Sequence, residues 1–474
     1  MEPSISLIIP VYNVEKYLTP CLDSVVNQII PFDEVLIVND GSTDHSLEIC
    51  EKYVSAYKYF TLISQENKGL SSARNRGINA IAGDYVMFLD SDDYLRMDAV
   101  KILKKKLQDE LYDTIFFDAK IFFDEELIEN KKNLYDRSLA GLDETVMSGE
   151  EYFSKCYPEK YIVSVCMAIY KTQLVKDKYI LFPEGLNYED NYFSFVFLGH
   201  AKKVIHVSRK LYNRRFRMGS IIQSSYSEKK LSDHIQIGLL IWEEMGKRRN
   251  ELSLEIKKLF LRYASDYYRM VLERFCYCKT SNIFLGDKTK ADLQTMAERY
   301  GLLLKILQLE KIEMDLLLLN QILWVLQCTS LYIGKNWDED KLLIQDLVSK
   351  QKDIYCGLLN QVPLNKSEFK VGIYGIGKHT KGLLTIYEKL YGKINCNLFF
   401  LDSYKDNGCF WGRKVKNYKE LDLSTDMIIL SSFLYEKEML ENIKNVKDNI
   451  QVYRFYQDIK NDIFSEYEKF LPYW

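Results

Sequence analysis

The sequence has no C-x-x-C pair among its ten cysteines, and a net charge of only −3 over 474 residues. Cys276-Tyr277-Cys278 is too tight for a metal knuckle, so the thiols fit a reducing cytosol better than a disulfide scaffold or zinc site. The charge balance argues against nucleic acid as a partner. Charge is missing from Leu316 to Gly334, a stretch of 19 residues that approaches the length of a membrane span. Asn320, Gln321, Gln327, Thr329 and Ser330 interrupt it, so a buried bundle helix is the expectation. The start, Met1-Glu2-Pro3-Ser4, lacks a basic flank, and no signal peptide is expected. Glycine and proline are scarce from 228 to 360. A chain of this length should hold two or three domains.

The most informative stretch that is present is Val86-Met87-Phe88-Leu89-Asp90-Ser91-Asp92-Asp93, an apolar run ending in three carboxylates. Side chains two apart on a strand share a face, so Asp90 and Asp92 could share one divalent cation. Their hard oxygens suit Mg²⁺ or Mn²⁺ bridging nucleotide phosphates, although Asp and Ser are also ordinary turn residues. Further β-rich runs are Ile5 to Tyr12, Glu34 to Asp40 and Phe60 to Ser64. Segments of helical spacing separate them, through Leu18, Leu22, Val25 and Val26, and from Thr43 to Tyr57. Strands alternating with helices imply a largely parallel sheet covered on both faces, with ligands beyond the strands' carboxyl ends. Four polar clusters fall at those ends and suggest a nucleotide-sugar cleft.

The clusters are Ile9-Pro10-Val11-Tyr12-Asn13, Val38-Asn39-Asp40-Gly41-Ser42-Thr43-Asp44, Asn67-Lys68-Gly69-Leu70-Ser71-Ser72-Ala73-Arg74-Asn75 and Leu89-Asp90-Ser91-Asp92-Asp93. In order and spacing, residues 4 to about 100 resemble family 2 glycosyltransferases of the GT-A fold. The resemblance implies an inverting, metal-dependent enzyme that uses nucleotide-diphosphate sugars. By it, Asp40 contacts the base, with a turn or cap as its plainer reading, and Pro10, Tyr12 and Asn13 shape the base and ribose pocket. Asn67 and Gly69 form a tight turn by the donor, and Arg74 neutralises phosphate or positions Asp90. Asp92 is the direct ligand of Mn²⁺ or Mg²⁺. Asp90 contacts ribose or the metal's water, with Ser91 between them. Asp93 is expected to cap a helix beginning near Met97, and Asp44 to be an acid at a helix N-terminus.

Transfer to a hydroxyl needs a general base on the acceptor side. Asp190, in Asn187-Tyr188-Glu189-Asp190-Asn191, resembles the aspartate of the family's Glu-Asp pair, with Glu189 orienting it or touching the acceptor. The plainer reading is that both acids decorate a helix N-terminus. Leu211 to Ile221, with Arg214, Arg215 and Arg217, resembles the family's loop over the diphosphate, where guanidinium forks fit phosphate oxygens. A solvated face or contact with anionic lipid is the other account. The Gln-x-x-Arg-Trp segment and membrane spans of processive members are not found, so one sugar per encounter is expected.

Helical patterns fill Leu231 to Arg248, Leu252 to Phe275, Lys290 to Gln308, Met314 to Ile333 and Asp338 to Leu359. From Phe369 a new α/β unit begins, with Gly375-Ile376-Gly377 after a strand and Asp402 at the end of the next. It resembles small Rossmann-like modules, but Thr380 stands where a third glycine belongs, which favours an assembly role over a ligand pocket. The expected division is a GT-A domain at 1–225, a helical domain at 226–365 and a Rossmann-like domain at 366–474. The functional expectation is a cytoplasmic, bacterial glycosyltransferase moving a sugar from a UDP-type donor to a glycan or lipid-linked oligosaccharide in surface-polysaccharide synthesis. Peripheral membrane association at the inner face and a homo-oligomer through the helical or C-terminal part are the partner expectations beside it. Extension of a glycoprotein's sugars, or an inactive scaffold, are the alternatives.

Overall fold

The computed structural model describes residues 2–123, 135–137, 142–158, 160–216, 225–309, 314–335, 337, 340–360, 362–403, 409–421, 424–431, 436–446 and 450–454. The chain divides into two compact units, Met1–Ala264 with Glu273–Met296, and Ser265–Leu272 with Ala297–Trp474.

The first opens with β1 (Ile5–Val11), α1 (Glu15–Val26), β2 (Glu34–Asn39), α2 (Ser46–Ala56), β3 (Phe60–Ser64), α3 (Leu70–Ala80) and β4 (Tyr85–Phe88). There follow β5 (Tyr94–Leu95), α4 (Ala99–Asp109), β6 (Thr114–Phe123), α5 (Gly149–Cys156), β7 (Ala168–Lys171) and α6 (Thr172–Asp177). Then come α7 (Glu189–His200), β8 (Val204–Phe216) and α8 (Glu228–Arg248), followed by α9 (Leu254–Thr280) and α10 (Asp287–Leu309), which are shared between the units, residues 265–272 and 297–309 belonging to the second. The strands form one sheet in the order β3-β2-β1-β4-β7-β6-β8-β5. Its β3-β2-β1-β4 half is parallel, as the alternation of strand and helix demands, and β7 joins antiparallel to β4 and β6. β1 is buried along its whole length, as a central parallel strand covered on both faces should be. Pro10 fits there because β1 pairs with β4 only through Ile8, so its missing N–H falls beyond that ladder. Phe88, Tyr170, Phe182 and Phe193 pack behind the acid-bearing strand end, with Phe182 and Phe193 stacked at 4.3 Å.

The second unit carries α11 (Leu316–Ile333), α12 (Lys341–Leu359), β9 (Lys370–Tyr374), α13 (Lys378–Tyr391), β10 (Asn397–Asp402), β11 (Cys409–Phe410), β12 (Arg413–Asn417), β13 (Met427–Leu430), α14 (Glu436–Val446) and β14 (Gln451–Arg454). Its sheet runs β11-β12-β10-β9-β13-β14, parallel apart from the β11–β12 edge pair. The expected α/β class, with a helical region and a second Rossmann-like sheet, is the fold observed. Thr380, the residue in the third glycine's place, donates to Gly375 O at 2.8 Å and meets Ser431 Oγ at 2.8 Å, closing the glycine turn with its own side chain.

No helix among the described residues is long and apolar enough to cross a membrane. The polar residues that interrupt the uncharged run explain α11. Asn320 Nδ2 donates to Tyr355 Oη at 3.1 Å, Gln321 to Asp266 at 2.8 Å, and Thr329 to Tyr268 Oη at 3.3 Å. Each is satisfied by a neighbouring helix, which lipid would not offer.

Candidate active site

Because β1, β2 and β4 are parallel, their carboxyl ends bring the first, second and fourth motifs to one edge of the sheet. Asn13, at φ +49°, closes the first of them. Its Oδ1 accepts from the Thr43 N–H at 2.8 Å, and its own N–H donates to Ser42 Oγ at 3.2 Å. Tyr12 beside it is 47% exposed, so its ring is available to a flat ligand.

Asp40 is buried, and its carboxylate is largely spoken for. Gln65 Nε2 and the Lys68 N–H donate to Oδ1 at 2.8 and 2.9 Å, and the Gly69 N–H donates to Oδ2 at 2.8 Å. Asp40 therefore fastens the loop containing Asn67, and one lone-pair direction remains for a ring N–H. Two glycines make this closure feasible. A Cβ on Gly41 would stand 2.8 Å from the Asn67 nitrogen, and Gly69 takes φ +90° to start α3.

Arg74 projects from α3 and is 3% exposed, so it is an enclosed side chain rather than a surface residue. Its Nη2 donates to Asp90 Oδ1 at 2.8 Å and its Nη1 to Glu189 Oε1 at 2.6 Å. Burial works against the guanidinium charge, but Asp90 and Glu189 more than restore it, holding its pKa above the ordinary value. The next residue, Asn75, exchanges hydrogen bonds with the Phe182 backbone at 2.8 and 2.9 Å. Adjacent residues of the third motif thus reach across to the segment that carries the Glu-Asp pair.

Two of the three acids of this turn, Asp90 and Asp93, are held in opposite states. Burial pushes the Asp90 carboxyl up, but Arg74 and then Arg214 overcome it, and Asp90 lies below the usual carboxylate range. Cys166, buried nearby, lowers the same carboxyl a little further, a neighbour nothing in the sequence marks. Asp93 goes the other way: burial first, then the charges of Asp90 and Asp92, push it up to about 8. It does not cap a helix as expected; α4 starts after Asp98, and Asp93 accepts from Tyr212 Oη and from the Arg215 N–H, both at 2.6 Å. Pairing of β5 with β8 puts those two donors there. Asp93→Asn, neutral and nearly isosteric, should change stability by less than about 1 kcal/mol, whereas Asp93→Ala strands two buried donors and should cost about 2–4 kcal/mol in urea unfolding. Equal losses for the two variants would contradict this account.

Of the basic loop, Arg215 is built into the acid turn: its Nε donates to Asp92 O at 2.9 Å, and its guanidinium lies 4.9 and 4.6 Å from the Tyr17 and Phe122 rings. Arg214 lies 4.8 Å over the Tyr135 ring, close enough to Asp90 and Asp93 for their charges to raise its pKa, although burial opposes this. Arg217 and the Gly219-Ser220-Ile221 segment lie outside the described residues.

Asp190 sits in the first turn of α7, half-buried beside Glu189. Burial, followed by the Glu189 charge, pushes it up to about 7 against the pull of Arg74 and Arg214. A carboxylate held near neutrality has the basicity a hydroxyl's proton requires.

Among the described residues no three His, Cys, Asp or Glu side chains gather into a metal cage. Two carboxylates at a strand end fit a hard cation that takes its other ligands from phosphate and water. Asp92 is half-buried and Ser91 buried between the two acids.

This arrangement defines a nucleotide-sugar transferase fold, and residues 6–177 match the model of the family described as Glycosyl transferase family 2. The chain belongs to that family. It is 32% identical over 244 residues to EpsH of Bacillus subtilis (strain 168), covering 51% of this chain and 67% of EpsH. It is 34% identical over 237 residues to the glycosyltransferase GlyA of Streptococcus pneumoniae serotype 4, but that match covers 47% of this chain and only 32% of GlyA. Among solved structures, residues 1–349 of Staphylococcus aureus TarS share the fold at a TM-score of 0.50 and 20% identity, covering 70% of this chain and 88% of TarS 1–349.

Proposed function

We propose that the chain transfers a sugar, with inversion, from a nucleotide-diphosphate donor to a hydroxyl of a glycan, with uridine as the default base. The observation that carries this reading is the Arg74 fork, which joins Asp90 of the acid turn to Glu189 at 2.8 and 2.6 Å and so sets Asp190 beside the acid turn. The catalytic work is assigned to residues 1–225, with 226–365 and 366–474 as an accompanying helical part and Rossmann-like part. Tyr12, Asn13 and the remaining acceptor direction of Asp40 receive the nucleoside, and Pro10 keeps that strand end clear. Asn67 and Gly69 shape the loop that Asp40 fastens. Arg214 faces the diphosphate side.

Asp92, with Asp90, would hold Mn²⁺ or Mg²⁺, which supplies positive charge to the leaving diphosphate when bound. Asp190 removes the proton from the attacking hydroxyl, and Glu189, tied to Arg74, fixes the turn from which Asp190 acts. Family membership supports surface-polysaccharide synthesis on the cytoplasmic side as the setting.

Donor hydrolysis with and without Mn²⁺ tests the reading. Asp92→Ala should lower the Mn²⁺-dependent rate by about 100-fold, the scale of losing one well-placed electrostatic contact. Equal turnover by variant and wild type would remove the acid turn from the chemistry. A thermal-shift panel of nucleotide sugars with Mn²⁺ would identify the donor by the stabilisation that binding brings.

A further inference from the structure

The loop that delivers Glu189 and Asp190 is held by α8. Lys229 Nζ donates to Gly185 O at 2.7 Å, and Asn187 donates to Asp233 Oδ2 from its backbone at 3.2 Å and from Nδ2 at 2.6 Å. Tyr188 is thereby kept at φ +66°, a left-handed conformation that a bulky residue takes only when its surroundings dictate it. Its ring lies on the His234 imidazole, 3.7 Å between centroids and 10° between planes, and Tyr226 continues the stack at 6.4 Å and 16°. Burial, with Arg274 and Lys230 nearby, pushes His234 down to about 3, so it stacks as a neutral ring.

The outer end of this stack is positively charged. Arg274, an exposed residue of α9, stands 5.2 Å over the Tyr226 ring, and Tyr277, 49% exposed, meets that ring edge-on at 6.1 Å. The acids nearby are engaged elsewhere. Asp233 is bound to Asn187 and to Lys229 at 2.5 Å, and Glu228 accepts from the Gly286 N–H and Thr289 Oγ1 at 2.6 and 2.8 Å. No carboxylate among the described residues forms an ion pair with Arg274. A guanidinium with an open fork, resting on a tyrosine, suits a planar or tetrahedral oxyanion.

We propose that Tyr188, Tyr226 and Arg274 form an acceptor subsite for a glycan unit bearing an anion, either a hexuronate carboxylate or a phosphodiester. The proposal rests on the reading of Asp190 as the base. The sugar whose hydroxyl reaches Asp190 is followed in the glycan by a unit lying on the Tyr188 side of the same loop. That unit lies along the edge of the stack, since His234 and Arg274 already take the faces of Tyr226, and its anion meets Arg274.

The experiment is calorimetric binding of three short oligosaccharides of equal length to the full chain saturated with UDP and Mn²⁺. One ends in a hexuronate, one carries a phosphodiester, and one is neutral. At least one anionic ligand should bind about fivefold more tightly than the neutral one, the scale of a solvent-facing charge pair. Whichever anion gains identifies the source. Arg274→Gln should abolish that preference while retaining the neutral ligand, and Tyr226→Ala should weaken all the ligands that bind. Equal binding of charged and neutral ligands, a preference that survives Arg274→Gln, or binding of none of the three would overturn the subsite. Absence of any UDP-induced rise in melting temperature in the wild type would instead strike the proposed function, so the two failures can be told apart.

Discussion

Asp190→Asn is expected to lower the transfer rate by about 10²–10⁴-fold, the contribution of a positioned general base, while the UDP-induced rise in melting temperature is retained. If Asp190 is the base, as proposed, the wild-type kcat/KM should increase with pH and level off above about 7, because only the carboxylate form can accept a proton and burial, then the Glu189 charge, raises its pKa to about 7. The asparagine variant should lose that limb. Stability gives an independent check with the opposite sign. The folded chain keeps a proton on Asp190 that the unfolded chain releases near the ordinary aspartate value of about 3.9. Stability contributed by this group is therefore present at low pH and lost as pH rises from about 4 to about 7. Asp190→Asn should remove that decline and be the more stable protein at pH 8. A flat kcat/KM profile between pH 5 and pH 9 would count decisively against Asp190 as the base.

Arg74→Ala should be the most damaging change to both stability and turnover. It removes the partner of two enclosed carboxylates, Asp90 and Glu189, at once, and breaking such a pair costs about 3–5 kcal/mol. Arg74→Lys keeps the charge but cannot hold both acids in a planar fork, so it should recover most of the stability and little of the rate. Adding Glu189→Gln to Arg74→Ala should relieve part of the stability loss, because one of the stranded charges is gone. Strict additivity in that double-mutant cycle would mean the two residues are not coupled.

Much of the strand-and-helix half was legible because its signals are local. The apolar runs from Ile5, Glu34, Phe60 and Val86 became β1, β2, β3 and β4, and the helical spacings beyond residue 228 became α8 to α12 within a few residues. The polar clusters could be placed on one sheet edge because parallel strands end together. Other features depend on contacts between residues about a hundred positions apart, which no local pattern encodes. The Arg74–Glu189 link spans 115 positions, and the Tyr212–Asp93 link spans 119. Asp93 looked like a cap because acids near a helix start usually are; β8 arriving beside it buried it instead. The Arg214–Arg215 pair looked interchangeable, yet only the structure separates the residue stacked on Tyr17 and Phe122 from the one over Tyr135. The ring stack on His234 had no local signature, since tyrosines occur throughout the chain.

Synthesis order gives the neighbouring side chains of α3 a further meaning. Arg74 and Asn75 emerge from the ribosome long before Phe182 and Glu189, the residues they fasten. A nascent chain halted at residue 170 would already own all of β1 to β4, yet its arginine would lack one of its two anchors. The tie between α3 and α7 is therefore completed late in translation, only once the acidic helix has emerged and docked.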